Sequence, residues 1–454
     1  MKVEMSTELS YYDIFPKVIP EGKTVELTLR GLGAHAAFKP GHEYTLKVIP
    51  LDYRDHPSGL TPSKVRTFAV TAAEDCALRL NIAFEGEQCH FVRVMDGERQ
   101  AVQMAVYSLK EDLCGRYPYM GDLHVHTCRS DGREAPAVVC ANYRKMGFDF
   151  LAVTDHHLYY SSLEAMRAYE NAPIDMMLAP GEEVHLPGNP THVVNWGGLY
   201  SVNAMVESTR ATVTRIESTL PENQPDAISD EEFRRQALEI AAQADLPEGV
   251  DPLAYGASVW EFDRIREADG LAIFPHPYWV EGNTAFNVAP ALTDYLLDTH
   301  PFDAFELLGG ERYFAHNGFQ NLAYQEARAR GARFPVVGSS DSHGSVNNPG
   351  LATAKTIVFS PKNERKAIIN SVKDFYSVAV DIISQEVRLC GEFRMVKYGH
   401  FLLENYFPLH DELCYEEGRA MKEYVCGDDP EGARELLAHL QGRTDKMLKK
   451  YFAF

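Results

Sequence analysis

The sequence predicts an α/β protein whose central part is a parallel sheet or barrel, with a β-sandwich before it and helices after it. Three observations indicate this class. The first 115 residues contain short, partly alternating runs between Gly, Pro and Asp residues, which is typical of strands. From residue 119, apolar strand-like runs alternate with runs of helical periodicity. Beyond residue 385, apolar residues recur at helical spacing.

Composition narrows the class of partner. The 454 residues exceed one ordinary core, so we expect two or three domains. A net charge of −21 argues against nucleic acid, because an acidic surface repels phosphate backbones. Eight scattered cysteines without a Cys-x-x-Cys pair favour a reducing compartment. No run approaches 18 apolar residues, and no apolar leader is present. We therefore expect a cytoplasmic protein that acts on a small molecule and binds neither nucleic acid nor membrane; oligomer formation stays open.

Residues 1–115 are predicted to form the sandwich. The runs "KTVELTLRGL", "EYTLKVIPLD" and "LRLNIAFEGE" are its clearest strands. Gly, Pro and Asp separate them at the spacing of a small antiparallel sandwich.

Residues 119–385 carry the alternating pattern. Strands are predicted at "DLHVHT", "FDFLAVTDHH", "GLAIFPHP", "FDAFELLGG" and "RFPVVGSSDSHG", with helices such as "APAVVCANYRKMG" between them. In such folds the chemistry collects at the carboxyl ends of the strands, where this chain has His, Asp and Glu. Residues 203–250 form a polar insertion with one helix near 229–244, which is either a lid or a surface helix. Residues 386–454 predict a helical C-terminal extension.

The segment "GDLHVHTCRSDG" places His124 and His126 on one face of a strand, because alternate residues share a face. The pair binds a metal or is simply solvated; neutral imidazole suits Zn, Fe and Mn. The same spacing returns in "VVGSSDSHG" with Asp341 and His343. Between them lie "VTDHH", "PGEEVH", "THVVNWG" and "FPHP", most of them beside an apolar run. Such a series in chain order indicates a metal site rather than isolated polar residues.

This ordered set resembles the polymerase-and-histidinol-phosphatase (PHP) family of metal-dependent hydrolases. That family's motifs are HxHxxxSDG, TDH, GxE, a His on the next strand, HP and SDxH, and all occur here in order between about 119 and 360. The resemblance implies a distorted (β/α)7 barrel with two or three divalent ions, Zn, Mn or Fe, at its mouth. Carried over motif by motif, it implies these metal ligands: His124, His126, Asp131, His156, Glu183, His192, His276, Asp341 and His343.

Two motifs leave a choice of residue. Strand parity would turn Asp155 rather than His156 into the site, whereas the family motif implies that His156 is the ligand and Asp155 its supporting partner. The GxE motif implies Glu183, although Glu182 is adjacent. We expect His185 at the rim of the site rather than among the ligands.

Four residues are candidates for substrate binding. Arg129 and Arg133 flank the first motif and would contact an anionic substrate, or else are solvated. Arg312 lies in "ELLGGERYFAHNG" after Glu306, in a rim loop or a plain turn. Tyr278 follows "FPHP" and would line a pocket for an aromatic group, or else packs in the barrel.

The β-rich start, the motif order and the helical tail are together similar to the PHP-type branch grouped with bacterial carbaryl hydrolase, which implies carbamate or ester cleavage. The family at large implies phosphate ester cleavage. Metal ions in such a site activate water, and Asp341, His343 or His276 would move the leaving-group proton. We expect first a phosphoesterase acting on a small phosphorylated metabolite, second a carbamate, ester or amide hydrolase, and third a non-catalytic metal-binding scaffold.

Overall fold

The computed structural model describes residues 11–52, 64–213, 220–281, 285–309, 314–345, 354–382 and 387–454. The chain divides into two compact units. The β-rich unit comprises residues 1–116, 396–413 and 442–454, and the α/β unit comprises residues 117–395 and 414–441. Within the described residues, no helix is both long enough and apolar enough to cross a membrane.

The β-rich unit contains eight strands in two sheets. They are β1 Tyr12–Phe15, β2 Val18–Pro20, β3 Thr24–Gly31, β4 Glu43–Pro50, β5 Arg66–Thr71, β6 Ala77–Ala83, β7 Gln88–Asp96 and β8 Arg99–Leu109. One sheet has the order β1-β3-β6 and the other β2-β8-β7-β4-β5. Side chains from both sheets, such as Leu29 and Val92, share one core. Two sheets that face a common core form a sandwich.

The first part of the α/β unit alternates strands with helices. Its elements are β9 Tyr117–Asp122, α1 Pro136–Arg144, β10 Phe150–Ala152, α2 Tyr160–Ala168, β11 Met177–Ala179, β12 Gly181–Val184 and β13 Val193–Trp196. Helices α3 Glu207–Val213, α4 Asp230–Ala241 and α5 Pro252–Glu267 precede β14 Leu271–Phe274.

The second part continues with β15 Val280–Glu281, β16 Ala285–Phe286, α6 Pro290–Thr299, β17 Ala304–Leu308, α7 Phe314–Arg330, β18 Val336–Gly338, β19 Ala354–Ser360, α8 Arg365–Lys373, β20 Ser377–Asp381 and β21 Arg388–Gly391. Four further helices follow: α9 Phe393–Asn405, α10 Phe407–Cys426, α11 Pro430–Leu440 and α12 Arg443–Tyr451.

The predicted α/β class is confirmed, but the strand order is mixed rather than all parallel. In the described residues the strands form a six-stranded sheet, β11-β10-β9-β19-β20-β21, and a five-stranded sheet, β12-β13-β14-β17-β18. β12, β13 and β14 pair antiparallel, whereas β14, β17 and β18 pair parallel. The connection from β12 to β13 spans residues 185–192, which is too short for the helical crossover that a parallel pair needs.

The helix predicted near 229–244 is confirmed as α4. Ser229 caps it by accepting a hydrogen bond from the Glu232 backbone N–H at 3.2 Å, as in a capping box. Its buried Phe233 packs edge-on against Trp260 of α5, with ring centroids 5.1 Å apart. α4 therefore adds to the core of the α/β unit.

A buried ion pair ties α10 to α1. Arg144 donates from Nε at 2.9 Å and from Nη2 at 2.7 Å to Oε2 of Glu417. The other oxygen of Glu417 accepts the backbone N–H of Asp175 at 2.6 Å and of Met176 at 3.3 Å. Arg144 also donates to Asp149 at 2.9 Å. One carboxylate thus joins three separate segments of the unit.

The end of the chain pairs with β2 inside the β-rich unit. The backbone N–H of Lys17 donates to the Tyr451 carbonyl at 2.8 Å, and that of Ala453 donates to the Val18 carbonyl at 3.0 Å. Lys17 is buried, and its ammonium lies 4.9 Å from the centre of the Tyr451 ring. The helical extension predicted for 386–454 therefore also contains the strand β21 and a segment paired with β2.

Candidate metal centre

The first two histidines lie just beyond β9, in a segment held between two others. The backbone N–H of Asp341 donates to the His124 carbonyl, and that of His126 donates to the Ser342 carbonyl, both at 2.9 Å. On the other side, Thr154 donates to the Val125 carbonyl at 2.8 Å. This extended segment turns both imidazoles to one side, as their spacing predicts.

His124, His126 and Asp341 form the first group of ligand atoms. Nε2 of His126 lies 2.9 Å from Oδ1 of Asp341, and Nε2 of His124 lies 3.4 Å from the same oxygen. The two Nε2 atoms are 3.1 Å apart. All three side chains are buried.

Asp131, His156 and His343 form a second group together with His126. Oδ2 of Asp131 lies 3.2 Å from Nε2 of His343 and 3.6 Å from Nε2 of His156. The side chain of Asp131 is 55% exposed, so this group is at the open edge of the site.

Glu183 lies at the centre of the remaining ligand candidates. Its Oε1 is 2.9 Å from Nδ1 of His192 and 3.3 Å from Nε2 of His276. Its Oε2 is 2.5 Å from Nδ1 of His156 and 3.4 Å from Nε2 of His185. A backbone bridge between His156 and Glu183 sets the two side by side. The structure thus gathers all nine predicted ligands, and it adds His185, which the sequence reasoning placed at the rim.

The neighbouring Glu182 has a different role. Its carboxylate accepts hydrogen bonds from Asn195, Ser201, Asn203 and the Val202 backbone, at distances of 2.6–3.1 Å. These donors saturate both oxygens of Glu182. The choice of Glu183 as the ligand candidate agrees with this arrangement.

Two further carboxylates position the ligand candidates. Glu306, at the end of β17, accepts a hydrogen bond from Nδ1 of His124 at 3.0 Å. Asp155 accepts hydrogen bonds from the backbone and hydroxyl of Thr127, both at 2.6 Å. A carboxylate behind a ligating histidine fixes its tautomer and orientation. The sequence analysis foresaw this support for Asp155, but it noted Glu306 only as a residue at a strand end.

The backbone at the site contains unusual conformations. The φ angles of His157, His276 and Asp341 are +61°, +24° and +50°. Positive φ is uncommon for residues other than glycine, and such strain collects at functional sites. Gly132 is required by a close approach, since a Cβ there would lie 2.7 Å from the backbone nitrogen of Thr127.

The three carboxylates of the site are strongly acidic. Burial raises the pKa of Glu183, but its histidine neighbours, first His156, outweigh this and hold the pKa well below its usual range. The pKa of Asp341 is likewise raised by burial and lowered further by His124 and His126. The pKa of Asp131 is also below its usual range despite burial, because two histidines donate to it. All three carboxylates are therefore ionised at neutral pH.

These residues fit a group of divalent ions. Burial lowers the pKa of His156, yet Glu183 and Asp131 raise it to about 10, so the site favours positive charge. Nδ1 of His276 is buried and has no hydrogen-bond partner among the described residues. Imidazole nitrogens with carboxylate oxygens are the ligands of Zn, Mn and Fe. The first two groups alone offer six such side chains within metal-binding reach of one another.

The predicted substrate-binding residues are not all near this cluster's carboxylates. Arg129 pairs with Glu164 through two hydrogen bonds of 2.8 and 2.7 Å. Arg133 is exposed. Tyr278 packs edge-on against Phe286, with ring centroids 5.4 Å apart. Arg312 lies outside the described residues.

Comparison with known proteins gives structural resemblances of low similarity. No family model and no curated protein matches the chain. The chain is similar to a two-domain protein from Bacteroides vulgatus that contains a predicted PHP-like metal-dependent phosphoesterase, with 16% identity and a TM-score of 0.37. The match covers 58% of this chain and 65% of that chain, so less than two thirds of that protein's length is spanned.

Two smaller proteins give comparable matches. One, from Bifidobacterium adolescentis, has a provisional assignment as a metal-dependent phosphoesterase; identity is 16%, the TM-score 0.33, and the match covers 50% of this chain and 88% of that chain. The other is an amidohydrolase from Chromobacterium violaceum with bound sulfate and no metal, at 17% identity and a TM-score of 0.31, covering 49% and 87%. Because these TM-scores are below 0.5, function is argued from the residues of the site alone.

Proposed function

We propose that this protein is a metal-dependent hydrolase of the PHP type. The observation that carries the proposal is the convergence of imidazole and carboxylate ligand atoms, in groups whose members lie within 4.8 Å of one another. The nine ligand candidates of the sequence analysis would hold two or three divalent ions. When bound, such ions make water nucleophilic near neutral pH and neutralise charge that develops on the attacked group.

Three residues of the site are candidates for holding or moving a proton. The side chains of Asp341 and His276 are only 7% and 4% exposed, whereas that of His343 is 22% exposed. A general acid must reach the leaving group of the substrate. His343, at the open edge beside Asp131, is therefore the best placed to protonate a leaving group, and the buried pair is better placed to orient ligands.

Phosphate esters are the substrate class that we place first. Three divalent ions would bring six positive charges against the three carboxylates Asp131, Glu183 and Asp341. Such an excess of positive charge suits the several anionic oxygens of a phosphoryl group better than a neutral carbonyl. A small phosphorylated metabolite is the proposed substrate.

Cleavage of carbamates, esters or amides is the second candidate, and Arg129 favours it. The guanidinium of Arg129 is engaged by Glu164, so it is not free to bind a phosphate. A neutral carbonyl substrate needs no such cation. The bacterial carbaryl hydrolase branch, which the sequence resembles, is associated with this chemistry.

The deciding experiment is a substrate panel. Metal-free protein is loaded in turn with Mn, Fe and Zn and assayed on phosphomonoesters, phosphodiesters, aryl esters and carbamates, with Asp341→Asn as the inactive control. Turnover of phosphate esters that Asp341→Asn loses supports the first candidate. Turnover of carbamates or aryl esters alone transfers the proposal to the second. Metal binding without any turnover would favour a non-catalytic scaffold.

A further inference from the structure

We propose that His185 is a metal ligand, and that His156, Glu183 and His185 hold an ion through one atom each. The inference rests on the proposed function, because it concerns the same metal-dependent centre. It extends that centre by a residue outside the motif pattern, which takes only His192 from the connection between β12 and β13.

The distances support this assignment. Nδ1 of His156, Oε2 of Glu183 and Nε2 of His185 form a triangle with sides of 2.5, 2.9 and 3.4 Å. The triangle formed by the ligand atoms of His124, His126 and Asp341 has sides of 2.9, 3.1 and 3.4 Å. Ligand atoms this close can all lie ~2.0–2.2 Å from one ion. By geometry, His185 is as well placed as the motif histidines.

The backbone holds His185 in this place. The backbone N–H of His185 donates to Oδ1 of Asn203 at 2.9 Å. Asn203 is buried, and its amide nitrogen donates to Oε2 of Glu182 at 3.0 Å and to the Glu183 carbonyl at 3.1 Å. The buried carboxylate of Glu182 thus fixes, through Asn203, the position from which His185 reaches Glu183. His185 is supported by a built network and is not a free side chain of the rim.

The crowding of rings around Glu183 also points to a cation. The ring centroid of His185 lies 3.9 Å from that of His192, 4.5 Å from that of His157 and 4.9 Å from that of His156. Imidazoles packed this closely repel one another when protonated, so a proton cannot neutralise the carboxylate without repulsion between rings. A divalent ion shared by His156, His185 and Glu183 supplies the positive charge at one point.

A simpler role for His185 is possible in chemical terms and sets the design of the test. Nε2 of His156 lies 3.6 Å from Asp131, on the side of the second group. If His156 binds only there, its Nδ1–H would donate to Nε2 of His185, which would then be an orienting residue. His185→Gln keeps a hydrogen-bond acceptor near this place but lacks an imidazole ligand, whereas His185→Asn is too short for either role.

The test measures bound metal rather than activity. Full-length wild type, His185→Asn, His185→Gln and His157→Asn are stripped of metal, loaded with Zn or Mn, and compared by elemental analysis and equilibrium dialysis. His157→Asn is the matched control, because His157 contacts the same ring but, in the described part of the chain, belongs to none of the ligand groups. Asn also tolerates the positive φ at this position. Thermal unfolding of the metal-free proteins checks that each variant folds.

We expect both His185 variants to lose about one equivalent of metal, or to bind it at least ~10-fold more weakly, while His157→Asn keeps the wild-type content. Wild-type metal content and affinity in His185→Gln would overturn the assignment, as would an equal loss in His157→Asn. A wild-type protein that binds no metal overturns the proposed function as well. A wild type that binds metal with full affinity in every variant overturns only the role of His185.

Discussion

Removal of the Glu417 side chain should destabilise the α/β unit more than any exposed substitution. Glu417→Ala leaves the buried guanidinium of Arg144 with Asp149 as its remaining carboxylate partner. It also removes the acceptor of the Asp175 and Met176 backbone N–H groups. Breaking a buried ion pair by removing one partner costs about 3–5 kcal/mol. We expect the free energy of unfolding of this unit to fall by that amount.

Tryptophan fluorescence in a urea titration measures this change in the right part of the molecule. The three tryptophans, Trp196, Trp260 and Trp279, all belong to the α/β unit. A shift of the midpoint at constant slope reports a change in stability. The matched control is Glu431→Ala, which breaks the exposed pair of Glu431 and Arg434 and should cost about 0–1 kcal/mol.

A double variant tests whether the cost comes from the charge left behind. Arg144→Met combined with Glu417→Leu removes both charges, so it should be less destabilised than Glu417→Leu alone. If Glu417→Ala loses less than about 1 kcal/mol, no more than the exposed control, the reasoning about this buried pair is refuted.

Three further predictions concern the site and the β-rich unit. Glu306→Gln should weaken metal binding ~10–100-fold in equilibrium dialysis, since a carboxylate behind a ligating histidine has that effect; unchanged affinity would contradict its role. Gly132→Ala should lower the metal content in elemental analysis, because the new Cβ would lie 2.7 Å from the Thr127 nitrogen and displace the loop that carries Asp131; full content would show that the loop adapts. Burial lowers the pKa of Lys17 to about 8. The native state therefore binds fewer protons than the unfolded chain from about pH 8 to 10, so wild-type stability should rise there relative to Lys17→Met. Hydrogen exchange in β1–β8 measures it, and a constant difference across this pH range would count against the buried ammonium.

The sequence predicts those parts of the site that follow from spacing along a single segment. His124 and His126 face one way because alternate residues of an extended segment do so, and the structure places them 3.1 Å apart at Nε2. Glu183 and His156 lie on neighbouring strands, and motif order alone brought them together. His185 was placed at the rim, because nothing in its local sequence shows that Asn203 holds its backbone.

Contacts between distant segments could not be predicted in this way. Glu306 lies far from His124 along the chain, and no periodicity relates the two. The antiparallel pairing of β12 with β13 follows from the length of their connection, but apolar runs alone do not show strand direction. The pairing of Val18 with Ala453 gives no local signal at all.

The pairing of Val18 with the segment after α12 has a consequence for the order in which the protein is made. β2 leaves the ribosome near the start of translation, but its partner at Ala453 is synthesised last. At ~5–20 residues per second, the interval is roughly 20–90 s. During this interval β2 has an open edge, and the buried place of Lys17 beside Tyr451 does not yet exist. The N-terminal strands therefore complete their unit only after the α/β unit has been translated, and a nascent chain stalled before residue 451 would expose this edge to chaperones.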